Sequence, residues 1–231
     1  MSLSKVHHDI ITCSKCERLR TYCGEIARVK RAAFRNHTYW AKPVPGFGDP
    51  AARVLVLGLA PAAHGANRTG RVFTGDGGGG SGDFLMTAMH RHGFASIPTS
   101  QSVDDGLQLR DAFIAAAVRC APPDNKPTPD EIHACRSHLE AELDQLKNVR
   151  VVVALGKIAF DVWWSVMAAR GLNVKPRPPF AHGAVFKPTS GPVVIASYHP
   201  SRQNTNTGKL TPAMMSSVFR KAARLVAPTN P

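Results

Sequence analysis

The sequence predicts a three-layer α/β/α domain with a central parallel sheet. Four apolar runs support this prediction, and none of them alternates with polar residues as a half-buried strand does. Continuous runs of this kind are typical of strands buried on both faces, as in parallel sheets. The runs cover residues 53–58, 112–118, 150–155 and 192–197. Helical patterns lie between the runs, and this alternation favours parallel strands joined by helices.

Four helices are expected around this sheet. The second has the clearest start, because Thr128 can cap it, Pro129 suits its first position and Glu131 completes a capping box. Glycines follow the first and third helices, and Pro212 lies just inside the start of the fourth. The helices are expected at residues 83–92, from 128 to about 146, at 158–170 and at 211–226.

Three polar loops follow strands of the predicted sheet. Residues 64–82 and 199–210 fit no regular structure, and residues 121–127 follow the second strand. Because open parallel sheets bind ligands beyond the carboxyl ends of their strands, these loops predict a site at that edge.

The chain has 231 residues and 43% hydrophobic content, which is enough for one sizeable core. We expect a single domain over residues 1–226 and a disordered tail over 227–231. No segment approaches the roughly 20 apolar residues of a membrane span, and the N-terminus has no apolar signal region. A cytoplasmic monomer that does not bind membranes is therefore expected.

Charge is the strongest compositional signal. The chain has 29 Lys and Arg residues against 16 Asp and Glu, a formal net charge of +13. Such a protein is a natural partner for polyanions, because phosphate contacts release condensed counterions. A basic surface that only keeps the protein soluble is the simpler alternative, but the size of the excess favours a nucleic acid.

The cysteines predict a thiolate centre. An odd count of five, with no secretory signal, argues against a disulfide framework. Cys13 and Cys16 form a C-x2-C pair, Cys120 follows the second strand and Cys135 lies on the second helix. Four such thiolates suit a [4Fe–4S] cluster or a tetrahedral zinc site, and spacing does not choose between them. Cys23 has no comparable setting and is interpreted as structural.

Three segments have long and distinctive sequences: residues 58–76 (GLAPAAHGANRTGRVFTGD), 199–208 (HPSRQNTNTG) and 118–129 (VRCAPPDNKPTP). In that order they resemble the first motif, the second motif and the cluster-binding segment of the family-5 uracil-DNA glycosylases, a match over about residues 13–215. The resemblance implies a four-stranded parallel sheet and excision of damaged bases from DNA without lyase activity. It also implies a [4Fe–4S] cluster, rather than zinc, on Cys13, Cys16, Cys120 and Cys135.

Two departures from related families predict a loosened base pocket. Leu59 and Ala60 stand where the best-known uracil glycosylases have a water-activating carboxylate, and Ala116 stands where thermophile-type iron–sulfur glycosylases have an asparagine that reads uracil. Fewer hydrogen-bonding groups leave less discrimination between bases. This agrees with the activity on hypoxanthine that the resemblance implies, and ethenocytosine is a further expected substrate. Gly58, Ala60 and Ala116 are expected to contact the base.

The motif loops supply the catalytic candidates. Phe73 is the expected stacking platform for a flipped base. Asp76, the only acid in the first motif, is the leading candidate for stabilising the sugar cation or orienting water, with Asp83 in reserve. His199 is expected to donate a hydrogen bond to the departing base, and Asn125 to contact the base or the water.

Contacts to double- and single-stranded DNA are expected from basic and amide side chains in the same loops. These are Arg68, Arg71, Arg202, Gln203, Asn204 and Lys209. Each has an alternative interpretation as a solvated loop residue. Weaker candidates are Lys126, Arg177, His182 and His64. Binding to DNA would associate the protein with the nucleoid.

A non-catalytic iron–sulfur DNA-binding protein is the main alternative, because it shares the charge and the cysteines. It does not explain an acid, an aromatic ring and a histidine in loops at one sheet edge. A redox enzyme has little support, since the glycines at 77–80 lack a strand–turn–helix setting. A relative that crosslinks to abasic DNA is disfavoured, because its basic insertion is missing before His199.

Overall fold

The computed structural model describes residues 2–75, 79–172 and 174–227. Within them, the strands are β1 (Phe47–Gly48), β2 (Val54–Gly58), β3 (Ala112–Ala116), β4 (Val151–Leu155), β5 (Val185–Phe186) and β6 (Val193–Ser197). They form one sheet in the order β1-β3-β2-β4-β6-β5. The inner strands β3, β2, β4 and β6 are parallel, and they correspond to the four apolar runs. The predicted parallel sheet is therefore confirmed.

Two short edge strands change the strand number in the described part of the chain from the predicted four to six. β1 pairs antiparallel with β3, and β5 pairs antiparallel with β6. Each of the two has only two residues, so no apolar run marks it in the sequence.

The described helices include the four predicted ones. Their bounds are α1 (Leu3–Ile11), α2 (Glu17–Val29), α3 (Ala66–Thr69), α4 (Ser81–Arg91), α5 (Pro129–Leu143), α6 (Lys157–Ala169), α7 (Arg202–Asn206) and α8 (Pro212–Val226). α4, α5, α6 and α8 confirm the predicted helices. The capping box of α5 is also present, since Glu131 N donates to Thr128 Oγ1 at 3.2 Å and Thr128 N donates to the Glu131 carboxylate at 2.8 Å.

Four of the described helices were not predicted. α1 and α2 fill the N-terminal segment, and α1 packs against α5. The short helices α3 and α7 lie inside the loops at 64–82 and 199–210, which were expected to be irregular. With four and five residues, they are too short to show a helical period.

The sheet separates two apolar cores. Val54 and Val56 of β2 face one core, which contains α4 and α8. Leu55 and Leu57 face the other core, which contains α5 and α6. The strand therefore alternates between two covered faces, and this explains why its sequence is apolar throughout. The three-layer α/β/α arrangement is confirmed.

Two further expectations concern the chain as a whole. None of the helices that the structure describes is both long and apolar enough to span a membrane. The predicted tail falls mostly on residues 228–231, which lie outside the described residues.

Candidate functional site

A cavity of about 660 Å³ lies beside the carboxyl ends of the parallel strands. The loops after β2, β3 and β6 all contribute to its wall. The cavity brings together seven of the residues selected from the sequence: Ala60, Phe73, Ala116, Asn125, His199, Arg202 and Gln203.

Phe73 has a strained backbone. Its φ angle of 51° lies in the left-handed region, which bulky residues avoid. Two glycines make room for it. A Cβ atom on Gly58 would lie 2.9 Å from Cε2 of the Phe73 ring, and a Cβ atom on Gly82 would collide with the Phe73 carbonyl oxygen. Gly58 therefore supports the ring from beneath and is not among the described residues that line the cavity.

His199 lies in the loop after β6 and packs against Phe73. The two ring centroids are 5.7 Å apart with an interplanar angle of 30°. Asn204 Nδ2 donates to the His199 carbonyl oxygen at 2.9 Å and so fixes the backbone at this point. Burial lowers the pKa of His199 to about 4, so its imidazole is neutral at pH 7 and has one N–H to donate.

Asn125 and its neighbour Asp124 reach the rim of the cavity from the loop after β3. Both are exposed, and both have positive φ angles, 56° and 53°. Asparagine and aspartate tolerate this conformation better than most residues. Asp124 was not selected from the sequence, although it has the only carboxylate among the described lining residues.

Asp76 lies outside the described residues, together with residues 77–78. The residue before it is well held. Gly75 N donates to Ser100 O at 2.9 Å, and Gly75 O accepts from Arg68 Nη2 at 2.6 Å. The backbone that leads to Asp76 is thus fixed by two hydrogen bonds.

Asp83 is in the first turn of α4 and is not among the described lining residues. Its carboxylate accepts from Gly79 N at 3.2 Å, from Ser100 N at 3.0 Å and from Gln101 Nε2 at 2.7 Å. The carboxylate therefore ties two loop segments to the helix, and we do not keep Asp83 as the catalytic reserve.

Arg68 is buried and has internal partners. Its guanidinium donates to His64 O at 3.0 Å and to Gly75 O at 2.6 Å, and Nη1 lies 3.1 Å from His37 Nδ1. The Phe34 ring lies against it at 4.1 Å. Arg68 thus connects the N-terminal segment to the first motif loop, and we leave it out of the proposed DNA contacts.

Arg71 is also buried. Its Nη2 forms an ion pair with Asp105 at 2.7 Å and donates to Ser100 Oγ at 3.1 Å, while Nε donates to Thr74 Oγ1 at 2.9 Å. A phosphate contact would require these bonds to break. We therefore leave Arg71 out of the proposed DNA contacts as well.

The predicted DNA contacts in and after the second motif differ in their surroundings. Arg202 and Gln203 are exposed and line the cavity. Asn204 uses its side chain to hold His199, which gives it a structural task in the loop. Lys209 is exposed outside the described lining and lies 5.0 Å from the Tyr198 ring centroid.

Three further lining residues were either missed or only weakly selected from the sequence. Arg31 and Phe34 follow α2, in a segment with no recognised motif. His64 was only a weak candidate for DNA contact, yet it lines the cavity. The local sequence contains no signal for the first two, because they reach the cavity through tertiary packing.

The four predicted cysteine ligands converge on a second, smaller pocket. Cys13 and Cys16 come from the connection between α1 and α2, Cys120 from the segment after β3 and Cys135 from α5. Burial raises the pKa of Cys135 to about 12, so its free thiol is protonated at pH 7. Cys23 is fully buried nearby and donates to Ala121 O at 3.6 Å.

Basic side chains around the cysteine pocket have buried nitrogen atoms without partners in the described structure. They are Nη1 of Arg20, Nε and Nη1 of Arg119, and Nε2 of His138, and all three residues line the pocket. In addition, Arg119 N donates to Cys135 Sγ at 3.3 Å. Among the described residues, no three His, Cys, Asp or Glu side chains are arranged around a point where a single metal ion fits.

The fold and the cavity together define a three-layer α/β/α protein with a candidate active site at one edge of its sheet. An aromatic platform, a neutral histidine and a polar rim meet at the carboxyl edge of a parallel sheet. The sequence profile of the uracil DNA glycosylase superfamily matches residues 45–223, and the chain belongs to that superfamily.

Relatives from several organisms agree with this assignment. A type-5 uracil-DNA glycosylase of Thermus thermophilus is 51% identical over 94% of this chain and 94% of the relative. Those of Mycobacterium leprae and Pyrobaculum aerophilum are 46% and 42% identical and match at least 96% of each chain. The resemblance recognised in the three motifs is thereby confirmed.

Proposed function

We propose that this protein excises uracil from DNA by hydrolysing the N-glycosidic bond and leaves an abasic site. The cavity that unites Phe73, His199 and Asn125 carries this proposal. The type-5 uracil-DNA glycosylases that share up to 51% of its residues support it.

The proposed reaction starts with a base that is flipped out of the duplex and enters the cavity. The Phe73 ring stacks on the base. As the glycosidic bond breaks, its electron pair leaves with the base, and the neutral His199 donates a hydrogen bond to the developing anion. Asp76 stabilises the positive sugar and orients a water molecule, which Asn125 holds at the rim. The water oxygen bonds to the anomeric carbon as one of its protons passes to the Asp76 carboxylate, and the base anion takes up a proton from solvent. No lyase step follows.

Hypoxanthine and ethenocytosine are proposed as additional substrates. The cavity volume is about 660 Å³, and small residues such as Ala60 and Ala116 form part of its wall. Short side chains leave space for a bicyclic base and supply few hydrogen bonds that would reject one.

A [4Fe–4S] cluster is proposed on Cys13, Cys16, Cys120 and Cys135. The donor set fits, because four thiols converge on one pocket and the buried guanidinium N–H groups of Arg20 and Arg119 need acceptors. Anionic sulfur is such an acceptor. When bound, the cluster would brace the segment before α2 against the segment after β3, which leads to Asn125.

The DNA contacts are proposed for Arg202, Gln203 and Lys209, which are exposed near the second motif. Arg31, exposed at the cavity, joins them as a phosphate contact. We propose that residues 1–226 act as one monomeric domain on double- and single-stranded DNA at the nucleoid. The net charge of +13 supports this role.

A cleavage assay tests the proposal. Matched duplexes would contain uracil, hypoxanthine, ethenocytosine or cytosine at one position, and alkaline treatment would reveal abasic sites. We expect excision of uracil and of at least one other lesion, with cytosine left intact. DNA binding without excision of any base would overturn the proposal in favour of a non-catalytic iron–sulfur DNA-binding protein.

A further inference from the structure

His64 lines the cavity but has no task in the proposed excision. It belongs to the loop between β2 and α3, and it is half-buried. Part of the surrounding wall consists of alanine side chains, which make no hydrogen bonds. These are Ala60, Ala62, Ala63, Ala66 and Ala116. A polar ring in such a wall is able to make a directed contact with the edge of a bound base.

The contact between Tyr39 and His64 bears on which nitrogen of the His64 ring carries the proton. The Tyr39 hydroxyl is 2.9 Å from His64 Nδ1, and Tyr39 is buried. A phenol is a stronger donor than a neutral imidazole N–H, and an imidazole nitrogen is a stronger acceptor than a phenol oxygen. These strengths favour donation from the hydroxyl to Nδ1, which places the ring proton on Nε2. No described residue takes up Nε2 in a hydrogen bond.

The charge of the ring agrees with this arrangement. Burial, and then the guanidinium groups of Arg31 and Arg68, lower the pKa of His64. The imidazole is therefore neutral at pH 7, and Nδ1 keeps the lone pair that accepts from Tyr39.

Deaminated bases share one chemical feature. Uracil has a carbonyl oxygen, O4, where cytosine has an amino group, and hypoxanthine has O6 where adenine has an amino group. A fixed N–H donor forms a hydrogen bond with the carbonyl oxygen but meets the amino group donor to donor. Burying such an unmatched pair costs more than the hydrogen bond itself contributes.

We infer that His64 is a specificity-determining residue, whose Nε2–H donates to the carbonyl oxygen that deamination introduces, and that Tyr39 is the positioning residue that fixes this donor. The inference rests on the proposed glycosylase function and deepens it. It assigns selection for deaminated bases to the loop after β2, in a cavity where Ala116 contributes no polar group.

Single-turnover excision from duplexes with uracil, 4-thiouracil or 2-thiouracil tests the inference. Sulfur is a weaker acceptor than oxygen, so loss of this contact should slow wild-type excision of 4-thiouracil by roughly tenfold relative to uracil. In His64→Ala this loss at position 4 should disappear, since the donor is gone. His90→Ala, an exposed histidine on α4, is the matched control and should behave as wild type. Uracil and the thiouracils also differ as leaving groups. This difference is the same in the wild type and in the variants, so comparing their rate ratios removes it.

The other possible results contradict either the inference or the proposed function. If His64→Ala slows excision of all three bases equally, the residue is only structural and the inference fails. If His64→Ala changes only the effect of sulfur at position 2, the inference also fails, because cytosine has the same oxygen at that position. A wild-type protein that excises none of the bases would instead refute the proposed function.

Tyr39→Phe tests the positioning role. Phenylalanine keeps the ring and removes the hydroxyl, so the His64 proton can move between its two nitrogens. We expect the preference for uracil over 4-thiouracil to fall towards that of His64→Ala, while thermal unfolding and DNA affinity change little. An unchanged preference in this variant would show that Tyr39 does not set the tautomer.

Discussion

The rings of Phe73 and His199 lie 5.7 Å apart, at an interplanar angle of 30°, although the two residues belong to different motif loops that are distant in the sequence. The proposed stacking platform and the proposed donor to the departing base thus support each other directly. A change that moves either ring should disturb both functions.

Gly58→Ala should slow excision more than it weakens DNA binding. The new Cβ would lie 2.9 Å from the Phe73 ring and push it from its position. We expect kcat to fall by about tenfold or more, because misplaced groups lose transition-state stabilisation. Gly24→Ala is the control, since a Cβ atom added there would meet no other atom within 4 Å. Equal rates for both variants in single-turnover assays would contradict the role of Gly58.

His199 should make stability depend on pH. Its pKa is about 4 in the fold against an ordinary value of 6.5, so the folded protein binds this proton less readily than the unfolded chain. The stability it contributes is complete above pH 6.5 and is lost as the pH falls towards 4. His199→Gln should therefore lose less stability than wild type as the pH falls from neutral into this range in urea unfolding. Parallel losses would show that the histidine is not buried as a neutral group.

Asp76→Asn should abolish turnover and leave DNA affinity nearly intact. The amide keeps the size of the side chain but cannot stabilise a positive sugar. Asp83→Asn is the comparison, and it should mainly lower thermal stability, because Asp83 accepts bonds from Gly79, Ser100 and Gln101. Excision rates and DNA binding constants, measured on a uracil duplex, distinguish the catalytic role of Asp76 from the structural role of Asp83. A loss of binding in Asp76→Asn equal to the loss of rate would remove its catalytic assignment.

Two arginines should respond in opposite ways. Arg202→Ala should weaken DNA binding and reduce the salt dependence of the binding constant by about one phosphate contact. Arg71→Ala should leave that dependence unchanged and destabilise the fold by about 3 kcal/mol, because Asp105 would stay buried without its partner. Binding titrations at several salt concentrations, together with thermal unfolding, measure both effects. A reduced salt slope in Arg71→Ala would return it to the DNA contacts.

Cys120→Ser should reduce the iron content and the visible absorption of the purified protein, since one thiolate of the proposed cluster is removed. Cys23→Ser is the matched control, because Cys23 is buried beside Ala121 but has no proposed bond to iron. Iron and sulfide analysis gives the result without any assay of activity. Equal iron in both variants, or zinc in the wild type, would contradict the proposed cluster.

Much of the fold could be predicted because its strands and helices carry strong local signals. The run at Val54–Gly58 is apolar throughout, and the capping residues Thr128 and Glu131 mark the start of α5. The edge strands β1 and β5 are different, since two residues form a strand only through their neighbours in the sheet. The local sequence therefore does not indicate that pairing.

The candidate site was predictable where a recognised motif indicated both the residue and the loop that contains it. Phe73 and His199 meet as the motifs suggest. Arg68 and Arg71 show the limit, because a loop arginine that binds phosphate and one that forms internal bonds have the same sequence context. Only the packing around Asp105 and Gly75 separates the two cases.

The strand order also bears on how the chain folds during synthesis. β2 is the first long strand to leave the ribosome, yet it lies in the interior of the sheet, between β3 and β4. Until residues 112–116 and 151–155 have both emerged, the nascent β2 has at least one unpaired edge. Stalled chains that end before β4 should therefore bind chaperones and aggregate, whereas longer chains should resist proteases once this central strand is enclosed.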